Sequence, residues 1–166
     1  MTHLLEQTYG PDARNRLADA GEPSIDGARA VLESFYYAFN QCDADVFARV
    51  WVDDPLVQLN NPLGGVLRGI DAIAALYARV FDGPVRVTVT FQDVVEYAGP
   101  GYAVFAGREI GAYEHADGGG AVPLATRTSR FLAWNEVASR WGQLHHHGSI
   151  DDAQALADYQ RAVRGS

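Results

Sequence analysis

Three consecutive histidines, His145, His146 and His147, sit in the string WGQLHHHGSIDD over residues 141–152, at the end of the last apolar run of the chain. Neutral imidazole is a metal ligand, and it gains or loses a proton close to neutral pH. Successive side chains on a strand face opposite sides. His145 and His147 therefore share one face with Trp141, Gln143 and Ser149, and His146 lies on the other with Leu144. Three in a row cannot converge on one ion. A pair at i and i+2 supplies two ligands, where zinc takes about four, or three plus water. A third ligand from His115 would need a strand pairing that the spacing does not fix. The expectation is no metal site, His146 on an inner face as a candidate acid or base, and His145 and His147 on an outer or interface face.

Two arginines raise a second chemistry. Alternation puts Arg108 in a row with Val104, Ala106, Ile110 and Ala112, read as an apolar inner row. Arg130 shares a face with Thr128, Leu132 and Trp134. Arginine in an apolar row needs an anion. A protein carboxylate (Glu96, Glu109 or Glu114) and a ligand carboxylate gripped bidentately both satisfy it, and exposure of either arginine on an outer face is the other reading. As catalytic groups, Arg108 and Arg130 would hold an anion or a developing oxyanion while His146 moves the proton. Tyr37, Trp51, Asn61 and Tyr77 are candidates for shaping the pocket. Ser149 with His147 forms no convincing nucleophile pair, because no carboxylate is placed to orient the histidine. Cys42 has no neighbouring cation in sequence to activate it. The chain has no phosphate-binding glycine loop and no HExxH string.

Elements of two periods must hold these residues. From Asp26, DGARAVLESFYYAFN spaces Val31, Phe35 and Phe39 four apart, a helical stripe. Asp43 is an N-cap for a short second helix carrying Val46, Phe47, Val50 and Trp51, with Pro55 as its stop. A short strand, LVQLN, precedes a loop through Pro62 and Gly64-Gly65. A third helix starts near Gly69 and ends at Gly83-Pro84. Then the period becomes 2. VRVTVTFQD, YAVFAGREIGAYEH, LATRTSRFLAW and WGQLHHHGS read as a four-strand antiparallel meander turned at 99–101 and 118–120. Gly107 and Gly111 mark bends or bulges. A last helix covers about 151–163, with Asp151 and Asp152 at its positive end. Helices followed by strands mean α+β. The expected architecture is a cone-shaped α+β barrel, with three N-terminal helices packed on a curved, mostly antiparallel sheet and a C-terminal helix added. The divisions are a polar extension over 1–23, a core domain over 24–150, and the helix and tail over 151–166.

With 166 residues, the chain can bury a core of its own without disulfides or metal. Net charge is −8, and all 13 cations are arginine. That balance argues against nucleic acid and against an anionic membrane surface. Cys42 is the single cysteine. The first residues lack a secretory pattern, and no apolar run reaches the ~18 residues of a membrane span. The expectation is a soluble, cytoplasmic protein.

Three strings carry a resemblance. FYYAFNQCDADVFARVW, LNNPLGG with LRGIDAIAALY, and RFLAW with RWGQLHHHGS resemble the nuclear transport factor 2-like superfamily in its SnoaL-like branch, over about residues 26–149. The resemblance implies a small-molecule pocket, no cofactor and a homodimer paired through sheet faces that include Trp141, His145 and His147. The ketosteroid isomerases of that superfamily place a catalytic aspartate where Asn61 stands here, and a catalytic tyrosine where Phe35 stands beside Tyr36. Asparagine cannot abstract a proton. AGREIGAY and SRFLAW with RWGQLHHHGS are also similar to the association domain of calcium/calmodulin-dependent protein kinase. Its pocket arginines fall at Arg108 and Arg130 and at Gly148, where the third is absent. Two functions remain open: a cofactor-independent dehydratase, isomerase or polyketide-cyclase-like enzyme acting on a carbonyl- or carboxylate-bearing molecule, and a non-catalytic ligand-binding or dimeric assembly module.

Overall fold

A computed structural model describes residues 1–150 and 152–164. The apolar stripe does form a helix, α1 (Ile25–Gln41), whose first turn is capped by Ser24 Oγ accepting from the amide of Asp26 at 3.2 Å. It ends at Cys42, which takes a left-handed φ of 55°. Asp43 caps α2 (Ala44–Arg49) through a 2.9 Å bond from the amide of Val46. That helix ends at Arg49, well before Pro55, so the proline follows the stop rather than making it. The third helix, α3, runs Ile70–Phe81.

The four long strands are β4 (Val85–Gly99), β5 (Tyr102–His115), β6 (Ala121–Asn135) and β7 (Arg140–Ser149), all antiparallel neighbours. Three short strands complete the sheet: β1 (Thr2–Leu4), β2 (Gln58–Asn60) and β3 (Val66–Arg68). The order is β1-β4-β5-β6-β7-β2-β3, and the β2–β7 pair is parallel. The architecture is α+β with a curved sheet that stays open, edged by β1 and β3.

The N-terminal residues are tied to this core. β1 pairs along β4, with Thr2 opposite Tyr97. Tyr9 exchanges backbone bonds with Phe91 at 2.8 and 3.0 Å and is buried. Arg14 and Arg16 reach the buried carboxylate of Glu33 on α1 at 3.4 Å. The composition of this stretch predicts a partly helical extension at best; it holds one short 3-10 helix, Leu17–Gly21, and in addition a strand and a buried tyrosine, because an open sheet edge offers unpaired amides.

The final helix, α4 (Ala153–Arg164), begins with Asp152 Oδ1 accepting from the amide of Ala155 at 2.6 Å. Asp151, the other acid expected there, lies outside the described residues. α4 buries Tyr159 and Ala162 and is anchored to the loop before β3. Gln160 Nε2 donates to the carbonyls of Pro62 and Leu63 at 3.4 and 3.2 Å, and Arg164 to that of Leu63 at 3.0 Å. Among the described residues, no helix is long and apolar enough to cross a membrane.

Candidate functional site

Among the described residues, an inner cavity lies between α1, α3, the concave sheet face and α4. Phe35, Phe39, Asn61, Tyr77, Glu109, Thr126, Arg130, His146 and Tyr159 line it together with Pro62, Val87, Val89 and Leu124. Its volume is about 30 Å³, room for roughly two water molecules.

Arg130 is the centre of the site and is fully buried. Its Nε donates to Tyr36 Oη at 2.9 Å, its NH1 to Gln143 Oε1 at 3.0 Å and its NH2 to Glu109 Oε1 at 2.8 Å. Its guanidinium carbon lies 3.4 Å from the centre of the Phe35 ring, a cation–π contact strengthened by the dry surroundings. Tyr36 donates its own proton to Glu109 Oε1 at 2.7 Å. Of the two anions that the sequence allows for Arg130, the structure supplies the protein carboxylate, Glu109. Burial pushes the Tyr36 hydroxyl well above the ordinary tyrosine range, against the pull of Arg130, so it remains a donor.

His146 stands opposite Arg130 in the β6–β7 pairing and is 4% exposed. Its ring meets Phe35 edge to face at 5.7 Å. Neither ring nitrogen has a hydrogen-bond partner among the described residues. Burial, then the charge of Arg130, holds its pKa well below 6.5. The ring is therefore neutral at pH 7 and carries one N–H and one free lone pair. Asn61 and Tyr77 also line the cavity. Asn61 Oδ1 accepts from the amide of Leu63 at 2.8 Å, which turns its NH2 toward Tyr77 Oη at a long 3.5 Å. Burial raises the Tyr77 hydroxyl far above its usual range, so it keeps its proton and can donate it.

Four sequence expectations are corrected here. Arg108 is exposed on the convex face, with Val104, Ala106, Ile110 and Ala112 beside it, because the buried row of β5 is Ala103, Phe105, Glu109 and Tyr113. Both rows are apolar, and a period of 2 divides faces without saying which is inner. Arg108 instead borders an outer groove of about 330 Å³ with Ile110, Pro123, Leu124 and Ile150. Tyr37 lies one helical step from Tyr36, away from the cavity, and is half-buried. Trp51 is buried elsewhere. Its backbone bridges to Gln143, and its ring borders a separate groove with Val52 and Trp141.

Trp141 is likewise inside, not on an outer face. It is 3% exposed, and its Nε1 donates to the carbonyl of Glu22 at 3.0 Å. Gly27 makes the space: a Cβ there would lie 2.7 Å from the Trp141 ring and 2.1 Å from the Glu22 oxygen. Strict alternation along β7 fails because Phe131 pairs with His145 but Leu132 with Gln143. Leu144 is thus the extra residue of a β-bulge, and Gln143 and His146, three apart, both turn inward.

Tyr36, Gln143 and Tyr159 are site residues that reading the sequence for chemistry does not single out, and Glu109 enters there only as one of three carboxylates that could pair with an arginine. The signal for Glu109 lies in its row, since Phe105 and Tyr113, two large aromatic side chains of β5, share its parity, although Tyr102 falls in the other row.

Residues 31–136 match the SnoaL-like domain, and the chain belongs to that family. Among solved structures, it is similar to a candidate dehydratase of the NTF2-like family from Streptomyces avermitilis, with TM-score 0.68 and 17% identity over 78% of this chain and 97% of that one. It is similar to a ketosteroid isomerase-like protein from Erwinia carotovora atroseptica, with TM-score 0.62 and 20% identity over 75% and 93%. A candidate calcium/calmodulin-dependent protein kinase type II association domain from Thiobacillus denitrificans gives TM-score 0.60 and 24% identity over 75% and 94%. At these identities the likeness is one of fold. No curated protein sequence matches.

Proposed function

We propose that this protein binds a small organic molecule and acts on it as a cofactor-independent lyase, isomerase or cyclase-type enzyme whose substrate carries a carbonyl group. One observation carries the reading: His146 is 4% exposed, lines the cavity and has both ring nitrogens unpartnered. A buried polar group left unsatisfied costs about 1–3 kcal/mol, and a ligand oxygen would recover it. A neutral imidazole donates from one nitrogen and accepts at the other, so it can hold a substrate oxygen and pass a proton to or from it. The Tyr77 hydroxyl, kept protonated by burial, is a second donor for a developing oxyanion. The likeness to a candidate dehydratase and a ketosteroid isomerase-like protein supports this class of chemistry.

A non-catalytic dimeric assembly module is the second reading. It is favoured by Tyr97, Tyr102, Ile110 and Val122, all exposed on the sheet.

The test is a thermal-shift screen of small ketones, enones, phenols and carboxylates against wild type and His146→Ala. A ligand at about 100 times its dissociation constant stabilises the fold by roughly 2.7 kcal/mol. The expected result is a shift in wild type that shrinks in the variant, with turnover of that compound lost in parallel. A screen in which no compound shifts wild type sinks the binding reading and leaves the assembly module.

A further inference from the structure

Glu109 does two things in the cavity wall. Its Oε1 accepts both available bonds, from Tyr36 Oη at 2.7 Å and from Arg130 NH2 at 2.8 Å. Its Oε2 accepts none from any described residue, although the side chain lines the cavity and is 12% exposed. Arg130, meanwhile, has each of its three nitrogens engaged and its flat face covered by Phe35.

The charges of the wall therefore cancel: one arginine, one glutamate and a neutral histidine. An arriving carboxylate would find no uncommitted cation, and it would stand against an open carboxylate oxygen in a medium of low dielectric. What Oε2 lacks is a hydrogen-bond donor. Elsewhere in the cavity lining, the N–H of His146 and the hydroxyl proton of Tyr77, whose oxygen accepts from Asn61 Nδ2, find no acceptor among the described residues. The two places ask for opposite things.

Accepting the small-molecule reading above, we propose that the cavity is built for an uncharged hydroxy-carbonyl compound. Its hydroxyl or enol proton faces Glu109 Oε2, its carbonyl oxygen faces His146 and Tyr77, and Glu109 is the residue that bars organic anions. The rings of Phe35, Phe39 and Tyr159 give the lining its apolar part, and at about 30 Å³ the closed cavity admits such a compound only as α4 moves aside.

Matched probes separate the two requirements. Hydroxyacetone, acetone and lactate form a small set; phenacyl alcohol, acetophenone and mandelate form a larger one. Binding is measured at pH 7.5 by titration calorimetry and thermal shift. Wild type is expected to bind the hydroxy ketone of at least one set tenfold or more tighter than either the ketone without the hydroxyl or the anion. Glu109→Gln releases the charge of Arg130 and should raise affinity for lactate or mandelate at least tenfold, a gain that an unfolded variant cannot mimic. The double variant Glu109→Gln/Arg130→Met has no charge left in the cavity wall and should show no anion discrimination. Should the single variant not fold, the double variant and wild type still decide the matter. Preference of wild type for the anion, or an anion affinity unmoved in the variants, overturns the assignment to Glu109 while leaving a binding cavity. Failure of every probe and every compound of the wider screen overturns the cavity reading itself.

Discussion

Two buried carboxylates in this molecule meet arginine in different ways. Glu96, at the β1–β4 edge, is 1% exposed and saturated: Arg29 Nε donates to Oε2 at 2.8 Å and NH2 to Oε1 at 3.0 Å, with His3 Nδ1 a further 3.5 Å away. Glu109, in the cavity, receives two donors on one oxygen and leaves the other open. The first is a clasp that fastens the N-terminal strand and α1 to the sheet. The second is a clasp with one free end. Where a fold only needs holding, both oxygens are closed; the open one lies where a guest would sit.

The contrast breaks most visibly by removing each arginine. Arg130→Met strands Glu109 in a dry wall, and stability should fall by about 3–5 kcal/mol in denaturant unfolding. Arg29→Met should cost less, about 1–2 kcal/mol, because Arg29 is 27% exposed and water can reach the vacated side. Equal losses would remove the distinction between the two pairs.

The next effect is in pH. The pKa of His146 is depressed in the folded state, whereas the unfolded chain titrates near the usual value of about 6.5. Below that pH the unfolded state takes up a proton and the folded state does not. Stability is therefore full above about pH 6.5 and declines as pH falls toward the folded value, by at most about 1.4 kcal/mol per unit. In His146→Gln that share of the slope should vanish, as read from midpoints between pH 7.5 and 5. An unchanged slope would place the titration elsewhere.

The smallest effect sharpens the comparison from outside. Arg108→Ala, on the convex face, should change stability by less than about 0.5 kcal/mol and leave ligand affinity in the cavity unaltered. A loss of affinity there would contradict the face to which the structure assigns Arg108.

How far these features were legible depends on their length and on how many constraints each satisfied. α1, α3 and the meander announce themselves because Val31, Phe35 and Phe39 repeat at one period and Val85, Val87, Val89 and Phe91 at another. β1 and β3, three residues each, are too short for any period to register. The parallel placing of Leu59 beside His146 is a long-range choice that neither segment encodes locally. The inward placing of Arg130 and His146 comes from the resemblance to the kinase association domain; alternation alone leaves open which face of the last strand is inner, and the buried Trp141 and Gln143 show why. Arg108 was not readable as outward, since its row and that of Glu109 are both apolar and only packing against α1 separates them. Gln143 was hidden by the bulge at Leu144, which shifts the parity of the strand without any glycine or proline to mark it. Glu109 itself could be listed among partners for arginine, but its open oxygen is a matter of ångströms, not of sequence.

The way α4 is fastened bears on time as well as space. Tyr159 closes the cavity while Gln160 and Arg164 hold the carbonyls of Pro62 and Leu63. A guest larger than about two waters has to wait for that helix to lift. Its arrival would then be paced by an internal opening of the protein, and raising the ligand concentration would speed binding only up to that ceiling.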